Sequence, residues 1–306
     1  MRGPGTSTTS SSAPGAPSTS ELTGPAELRG SVELPADDRP IGVFDSGFGG
    51  LSIVRALIDL LPDEHVVYVG DTGRYPYGPR PAEEVRAFAL QIGRHLVKEE
   101  GCKLLVVACN TAASVALDDL AENHDVPVVG VVEPGMRAAL SASRVGRIGV
   151  IGTVRTIASG AYQRLAADLA GAAEVFCAAC PGFVEFVERG ETSSDQVHVL
   201  AERLLAPLTE AGVDTLLLGC THYPFLARTI ADVMGEEVVL VSSAEETAFD
   251  VHRLIISGAI GSAAGPGRHE FYSSGDVEWF AEMGRLLLGP ELSAARPVSF
   301  PDVGAA

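Results

Sequence analysis

The sequence predicts an α/β fold built on parallel sheets, and three observations carry that prediction. From Ile41 onward, short apolar runs rich in Val, Ile and Leu recur, each about the length of one strand. Segments with apolar residues at helical spacing stand between them. The same strand-and-loop patterns return about 110 residues later, so the chain reads as two similar halves. Continuous apolar strands are strands buried on both faces, which a parallel sheet covered by helices requires.

Taken in order, the expected strands are Ile41–Phe44, His65–Val69, Leu104–Ala108, Val126–Val132, Arg147–Ile151, Glu174–Ala178, Thr215–Leu218, Val238–Val241 and His269–Ser273. One helix should open at Pro81, carry Glu83 and Glu84 in its first turn and stop before Gly101. Its residues Val85, Phe88, Ala89, Ile92 and Leu96 fall on one face. A second, over 196–211, should turn Val197, Leu200, Leu204 and Leu208 inward. The repeat rests on three matches. Ile41–Gly47 resembles Ile148–Thr153 at an offset of 107, Val107–Thr111 resembles Leu218–His222 at 111, and Val128–Val131 resembles Val238–Val241 at 110. Two related domains facing each other would set two equivalent strand ends on opposite walls of one cleft.

Composition narrows the function. The chain has 306 residues, 46% of them hydrophobic, and a formal charge of −18. That charge argues against nucleic acid and anionic membranes as partners. An anionic ligand must then be held by local donors, such as N–H groups at helix N-termini. Five cysteines suit a reducing cytoplasm better than a disulfide framework. No apolar run reaches the length of a membrane span. Residues 1–20 contain sixteen Ser, Thr, Pro or Gly, and residues 1–38 read as a disordered tail.

Cys109 and Cys220 occupy matching repeat positions, each after an apolar strand and before an expected helix. The carboxyl ends of parallel strands are where open α/β sheets bind ligands. A helix N-terminus should also lower a thiol's pKa and raise its thiolate fraction. A lone cysteine there is more often a small buried hydrophobe; two at equivalent positions point to chemistry. Asn110, Thr111, Thr221 and His222 follow the cysteines and could hold a carboxylate or cap the helices. Asp45-Ser46-Gly47-Phe48-Gly49-Gly50 is a glycine-rich strand-to-helix loop without dinucleotide or P-loop spacing. Asp45 is either a base-assisting carboxylate or a cap. Thr72–Pro79, with Tyr77 and Gly78, reads as a turn or a ligand loop. Cys177 and Cys180 form a C-x-x-C with no second ligand pair at zinc spacing, so no metal is expected there.

The segments FDSGFGGLSIVRAL (44–57), GDTGRYPYGPR (70–80), ACNTA (108–112), IGVIGT (148–153) and GCTHYPFL (219–226) together resemble the glutamate racemases of the aspartate/glutamate racemase superfamily. The resemblance spans about 41–275. It implies two pseudo-symmetric flavodoxin-like domains with the active site between them, the C-terminal segment returning to the first. The expected division is 39–134 plus 246–306 for the first domain and 135–245 for the second. It implies cofactor-independent interconversion of L- and D-glutamate for peptidoglycan synthesis, with Cys109 and Cys220 as the two acid/bases. Asp45, Ser46, Tyr77, Gly78, Asn110, Thr111, Thr221 and His222 would contact substrate. Asp45 would tune Cys109, while His222 and Glu188 would tune Cys220. Glu188 is assigned through Cys180-Pro181-Gly182-Phe183-Val184-Glu185-Phe186-Val187-Glu188, where Glu185 stands in place of the proline many relatives carry. Neither a metal nor pyridoxal phosphate is expected, and a homodimer is the candidate assembly.

Three other readings share parts of this pattern. An aspartate racemase would keep both cysteines and change only the distal carboxylate pocket. A non-catalytic binding protein would need no thiols at the strand ends. A redox protein would react at Cys177 and Cys180.

Overall fold

The structure, a computed structural model, describes residues 1, 3, 36–169 and 171–302. Most of the tail expected over 1–38 therefore lies outside the described residues. Asp37, within it, is tied down: its N–H donates to the Ser262 carbonyl at 2.9 Å, and its own carbonyl accepts from Lys103 Nζ at 2.6 Å.

Among the described residues the strands are β1 (Ile41–Asp45), β2 (Val66–Gly70), β3 (Leu104–Val107), β4 (Val128–Gly130), β5 (Arg147–Gly152), β6 (Glu174–Ala179), β7 (Thr215–Gly219), β8 (Val239–Val241), β9 (His269–Ser273) and β10 (Arg296–Pro297). The α-helices are α1 (Leu51–Leu60), α2 (Ala82–Lys98), α3 (Asn110–Asn123), α4 (Val132–Ala142), α5 (Val154–Ala158), α6 (Ala161–Leu169), α7 (Phe183–Glu188), α8 (Asp195–Glu210), α9 (Ala227–Met234), α10 (Ala244–Ile256) and α11 (Val277–Leu288).

Two sheets form, and every strand pairing within them is parallel. The first has the order β10-β9-β2-β1-β3-β4 and the second β6-β5-β7-β8. The block β2-β1-β3-β4 thus recurs as β6-β5-β7-β8, the spatial form of the sequence repeat. Register agrees as well: Phe44 pairs with Val107, and Ile151 pairs with Leu218. Cys109 and Cys220 each lie two residues past those paired positions. β1, β2, β3 and β7 are buried throughout, because helices cover both faces, whereas the edge strands β6 and β8 are partly open. β9 and β10 return the chain to the first sheet beyond β2. No helix among the described residues is long and apolar enough to cross a membrane.

Some expected elements shift. The run expected as a strand over Val126–Val132 pairs only at Val128–Gly130, and Val132 already opens α4. Apolar β-branched character permits either state there; α4 wins because Met136 and Ala139 follow on its buried face. On α8 the buried stripe is Val197, Ala201, Leu205 and Leu208, with Leu200 and Leu204 only half-buried. The buried stripe is rotated by about one residue from the expected one. α4 and α10 are the segments that carry the chain from one sheet to the other. Arg137 on α4 binds Asp250 on α10 at 2.6 Å and Glu133 at 2.7 Å.

Candidate active site

The carboxyl end of each central strand delivers one thiol. β3 ends at Val107, and Cys109 sits in extended conformation (φ −72°, ψ 114°) immediately before α3. Its thiol donates to Ser46 Oγ at 3.7 Å. β7 ends at Gly219, and Cys220 follows. The helix expected next is a 3₁₀ turn over Tyr223–Leu226 with His222 at its N-cap, and α9 begins only after it. Cys109 is 4% exposed and Cys220 6%, so both thiols are closed off from bulk water.

That burial overturns the expectation of lowered thiol pKa values. It pushes the Cys109 thiol up to about 12, with the Asp45 carboxylate adding to the rise. The Ala112 N–H and the Ser46 hydroxyl and N–H pull it back only in part. Cys220 is raised well above the ordinary thiol value, again first by burial. The N–H groups of His222 and Tyr223 pull it down, while charge on Cys109 and on Asp45 pushes it up. The helix-end donors are present, but removing water from a thiolate costs more than they return.

Asp45, at the end of β1, is fully buried. Its Oδ2 accepts from the N–H groups of Gly50 (3.0 Å) and Gly47 (3.4 Å) and from the Thr221 hydroxyl (3.3 Å). Its Oδ1 is buried with no partner. A buried carboxylate oxygen left unpaired is costly, and here it is an acceptor without a donor inside the site. The loop after β1 and the loop after β7 touch. A Cβ on Gly49 would lie 2.6 Å from Thr221 Oγ1 and 3.0 Å from His222 Nδ1, so only glycine permits this approach. Gly78 plays the same part opposite β5, where a Cβ would meet Thr153 Cβ at 3.0 Å.

The polar residues after the cysteines reach across to the other half. Asn110 Nδ2 donates to the Tyr162 hydroxyl at 3.0 Å. Thr111 Oγ1 lies 3.0 Å from Thr153 Oγ1 and 3.2 Å from Thr156 Oγ1. The Tyr77 hydroxyl donates to the fully buried Asp71. His222 Nε2 and Glu188 Oε1 are 3.0 Å apart, and Nδ1 is 3.4 Å from Thr221 Oγ1. Glu188, the last residue of α7, is the carboxylate that meets His222; Glu185, one turn earlier, is exposed. Phe48 packs edge-on to the His222 ring at 5.0 Å, and Tyr75 lies over it at 5.8 Å.

The candidate acid/base and substrate-binding residues named from the sequence therefore gather around two touching loops and their neighbours, whereas Cys177 and Glu185 do not. Thr153, Thr156, Tyr162, Tyr75 and Phe48 were not anticipated. Thr153 carried a usable signal, since it occupies in the second half the place of Ser46 in the first. Tyr162 had none, because its part depends on one half meeting the other; Tyr75 stood inside the Thr72–Pro79 candidate loop but was not singled out within it. A groove of about 610 Å³ lined by residues of α2, α3, α4 and α6 contains neither cysteine.

Known proteins match this chain at both levels. The Asp/Glu/Hydantoin racemase family matches residues 41–248. A glutamate racemase from Acidothermus cellulolyticus is 52% identical over 255 residues, covering 83% of this chain and 96% of that protein. The crystal structure of a glutamate racemase isoform from Bacillus anthracis superposes with a TM-score of 0.79 at 39% identity, covering 86% of this chain and 97% of the other. A glutamate racemase from Francisella tularensis, in complex with D-glutamate, gives a TM-score of 0.78 at 30% identity, covering 86% and 98%.

Proposed function

We propose, because the chain belongs to the Asp/Glu/Hydantoin racemase family, that it interconverts L- and D-glutamate by a two-base route without a cofactor. The observation that carries this reading is the pair of buried thiols at equivalent strand ends, Cys109 against Ser46 and Cys220 beside the Thr221 that meets Asp45. Inversion at a carbon needs a base on one face and an acid on the other, and one thiol would serve each.

For D-glutamate, the Cys109 thiolate removes the α-proton, and the C–H electron pair stays on the substrate as a carbanion delocalised into its carboxylate. The Cys220 thiol then gives its proton to the opposite face and becomes the thiolate. L-Glutamate runs the same steps in reverse. A thiol at about 12 is only about one part in 10⁴ ionised near pH 8, a cost of about 5.5 kcal/mol. The substrate's α-ammonium offsets most of this: a unit charge at about 4 Å is worth roughly 4 kcal/mol at an effective dielectric of about 20. Asp45 Oδ1, unpaired without substrate, is the natural acceptor for that ammonium. The hydroxyls of Ser46, Thr111, Thr153 and Thr221 and the Asn110 amide would hold the carboxylates, aided by the Tyr77-Gly78 backbone. The His222–Glu188 pair would orient the wall beside Cys220. Because both thiols are buried, the two loops must part to admit substrate.

On the same reading the domains are 39–134 plus 246–306 and 135–245, joined through α4 and α10. The enzyme would act in the cytoplasm, supplying D-glutamate for peptidoglycan, with a homodimer as its assembly. Glutamate should exceed aspartate in kcat/KM. One methylene is worth about 10- to 200-fold, and buried donors left unpaired by the shorter side chain raise the ratio toward roughly 10⁴. The deciding experiment incubates the protein with L-glutamate in D₂O and follows optical rotation and α-deuteration. Loss of rotation with deuterium in the product is expected. Rotation that stays constant, or a kcat/KM ratio near one against aspartate, would overturn the assignment.

A further inference from the structure

Residues 298–301 have no part in the mechanism above, yet they end against the loop that carries Tyr77 and Gly78. β10 pairs with β9, and the Val298 N–H donates to the Ser273 carbonyl at 3.0 Å. The chain then crosses α2. There the Arg74 guanidinium lies between two rings, 4.2 Å from the Phe88 centroid and 4.8 Å from that of Phe300. His95 meets Phe300 edge-on at 5.8 Å. Gln91 ties the layer together: its Oε1 accepts from Arg74 Nη1 at 2.5 Å, and its Nε2 donates to the Pro301 carbonyl at 3.1 Å.

Arg74 in turn is the counter-charge of Asp71. Its Nε donates to both carboxylate oxygens, at 3.0 and 2.8 Å, and Asp71 also accepts from the Tyr77 hydroxyl and from Ser274 Oγ at 2.5 Å. Arg74 Nη2 is buried with no hydrogen-bond partner, so the rings are what cover it. The stretch from Asp71 to Pro81 contains no helix or strand. Its shape therefore depends on side-chain contacts such as these. Without Phe300, one face of the guanidinium opens to water and Arg74 gains rotamers, which loosens its hold on Asp71 and so on Tyr77.

We propose that Phe300 is a positioning residue: it closes an aromatic clamp on Arg74 and, through Asp71 and Tyr77, sets the substrate loop. This rests on the reading of Tyr77-Gly78 as that loop. A cation over a half-buried ring contributes enough that its loss should raise KM about threefold to thirtyfold. The thiols are untouched, so kcat should stay within about twofold. Both enantiomers use the loop, and an equilibrium constant of one ties their kcat/KM values together, so the loss appears in both directions.

The test compares full-length Phe300→Ala, Phe300→Leu and Phe300→Tyr with wild type. Steady-state kinetics on L- and D-glutamate form one arm, and the rate of tryptic cleavage after Arg74 forms the other. Phe300→Ala and Phe300→Leu should raise KM and speed cleavage, while Phe300→Tyr, which keeps the ring, should restore both. Phe300→Leu preserves most of the apolar bulk, so it supplies the answer if the alanine variant does not fold. Unchanged KM and cleavage in Phe300→Leu would overturn the clamp, as would a fall in kcat with KM constant. A wild-type protein that does not racemise glutamate would instead overturn the functional reading, and the cleavage arm would still decide the clamp.

Discussion

Gly49→Ala should cripple turnover while leaving the fold intact, because it is the point where the loop after β1 meets the loop after β7. The added Cβ would stand 2.6 Å from Thr221 Oγ1 and 2.9 Å from Thr221 Cβ. Ordinary contact begins at about 3.5 Å, so the two loops must separate by roughly 1 Å. That movement stretches the Thr221–Asp45 hydrogen bond, already 3.3 Å long, beyond bonding distance. It also carries Cys220, the preceding residue, away from Cys109. A displacement of about 1 Å between reacting groups costs on the order of 10²-fold in rate, and the overpacking itself about 1–3 kcal/mol of stability. The assay is racemisation of L-glutamate followed by circular dichroism, paired with urea denaturation of the same preparation. A variant that folds with the expected stability loss yet retains kcat/KM within threefold of wild type would refute the view that this contact sets the spacing of the acid and base.

Other expectations follow from the same contacts. Cys109→Ser and Cys220→Ser should each lose racemisation by at least about 10²-fold. Cys220→Ser should keep elimination of HCl from a β-chloro D-analogue and Cys109→Ser from the L-analogue; a single mutant that eliminates from both enantiomers would refute the division of faces. Cys102, Cys109 and Cys180 are each pushed up to about 12 and Cys177 to about 11. Their raised folded values mean stability that is complete below pH about 9, where unfolded thiols are still protonated, and lost as pH rises toward those values. Each deeply buried thiol should cost about 1.4 kcal/mol at pH about 10, and Cys102→Ala should remove one share of the alkaline fall in the urea midpoint. A midpoint flat from pH 8 to 10.5 would contradict the burial argument. The fully buried Lys103 Nζ sits 2.7 Å from Glu64 Oε2. Lys103→Met alone should destabilise by about 3–5 kcal/mol, and adding Glu64→Leu should recover the part due to the stranded carboxylate but not the part due to the Asp37 and Gly261 carbonyls and the Ala263 N–H, which also lose their partners; equal losses in the single and the double variant would show that no buried charge had been stranded.

Much of the arrangement is legible in the amino-acid order because it follows from local chemistry. Apolar runs of strand length can only be buried on both faces, so β1, β3, β5 and β7 are readable, with boundaries off by a residue at most. Matching offsets placed Cys109 and Cys220 at equivalent strand ends, and the sheets carry the same strand order in both halves. The reading failed where a local rule competes with a distant one. Val131 and Val132 look like strand until Met136 and Ala139 give α4 its buried face. Leu200 and Leu204 look like core, yet α8 buries Ala201 and Leu205 in their place. Helix-end dipoles argued for low thiol pKa values, and burial by the opposite half reversed them.

The sequence by itself determined which groups can react, and the class of fold that presents them, since both depend on residue type and periodicity along one chain. The tertiary structure decided what those groups experience. That Asp45 Oδ1 is left without a donor, that His222 meets Glu188 and not Glu185, and that Phe300 lies over Arg74 are contacts between residues far apart in the chain. Solvation and pairing of a charged group depend on whatever surrounds it in three dimensions, and no pattern along one strand or helix records that.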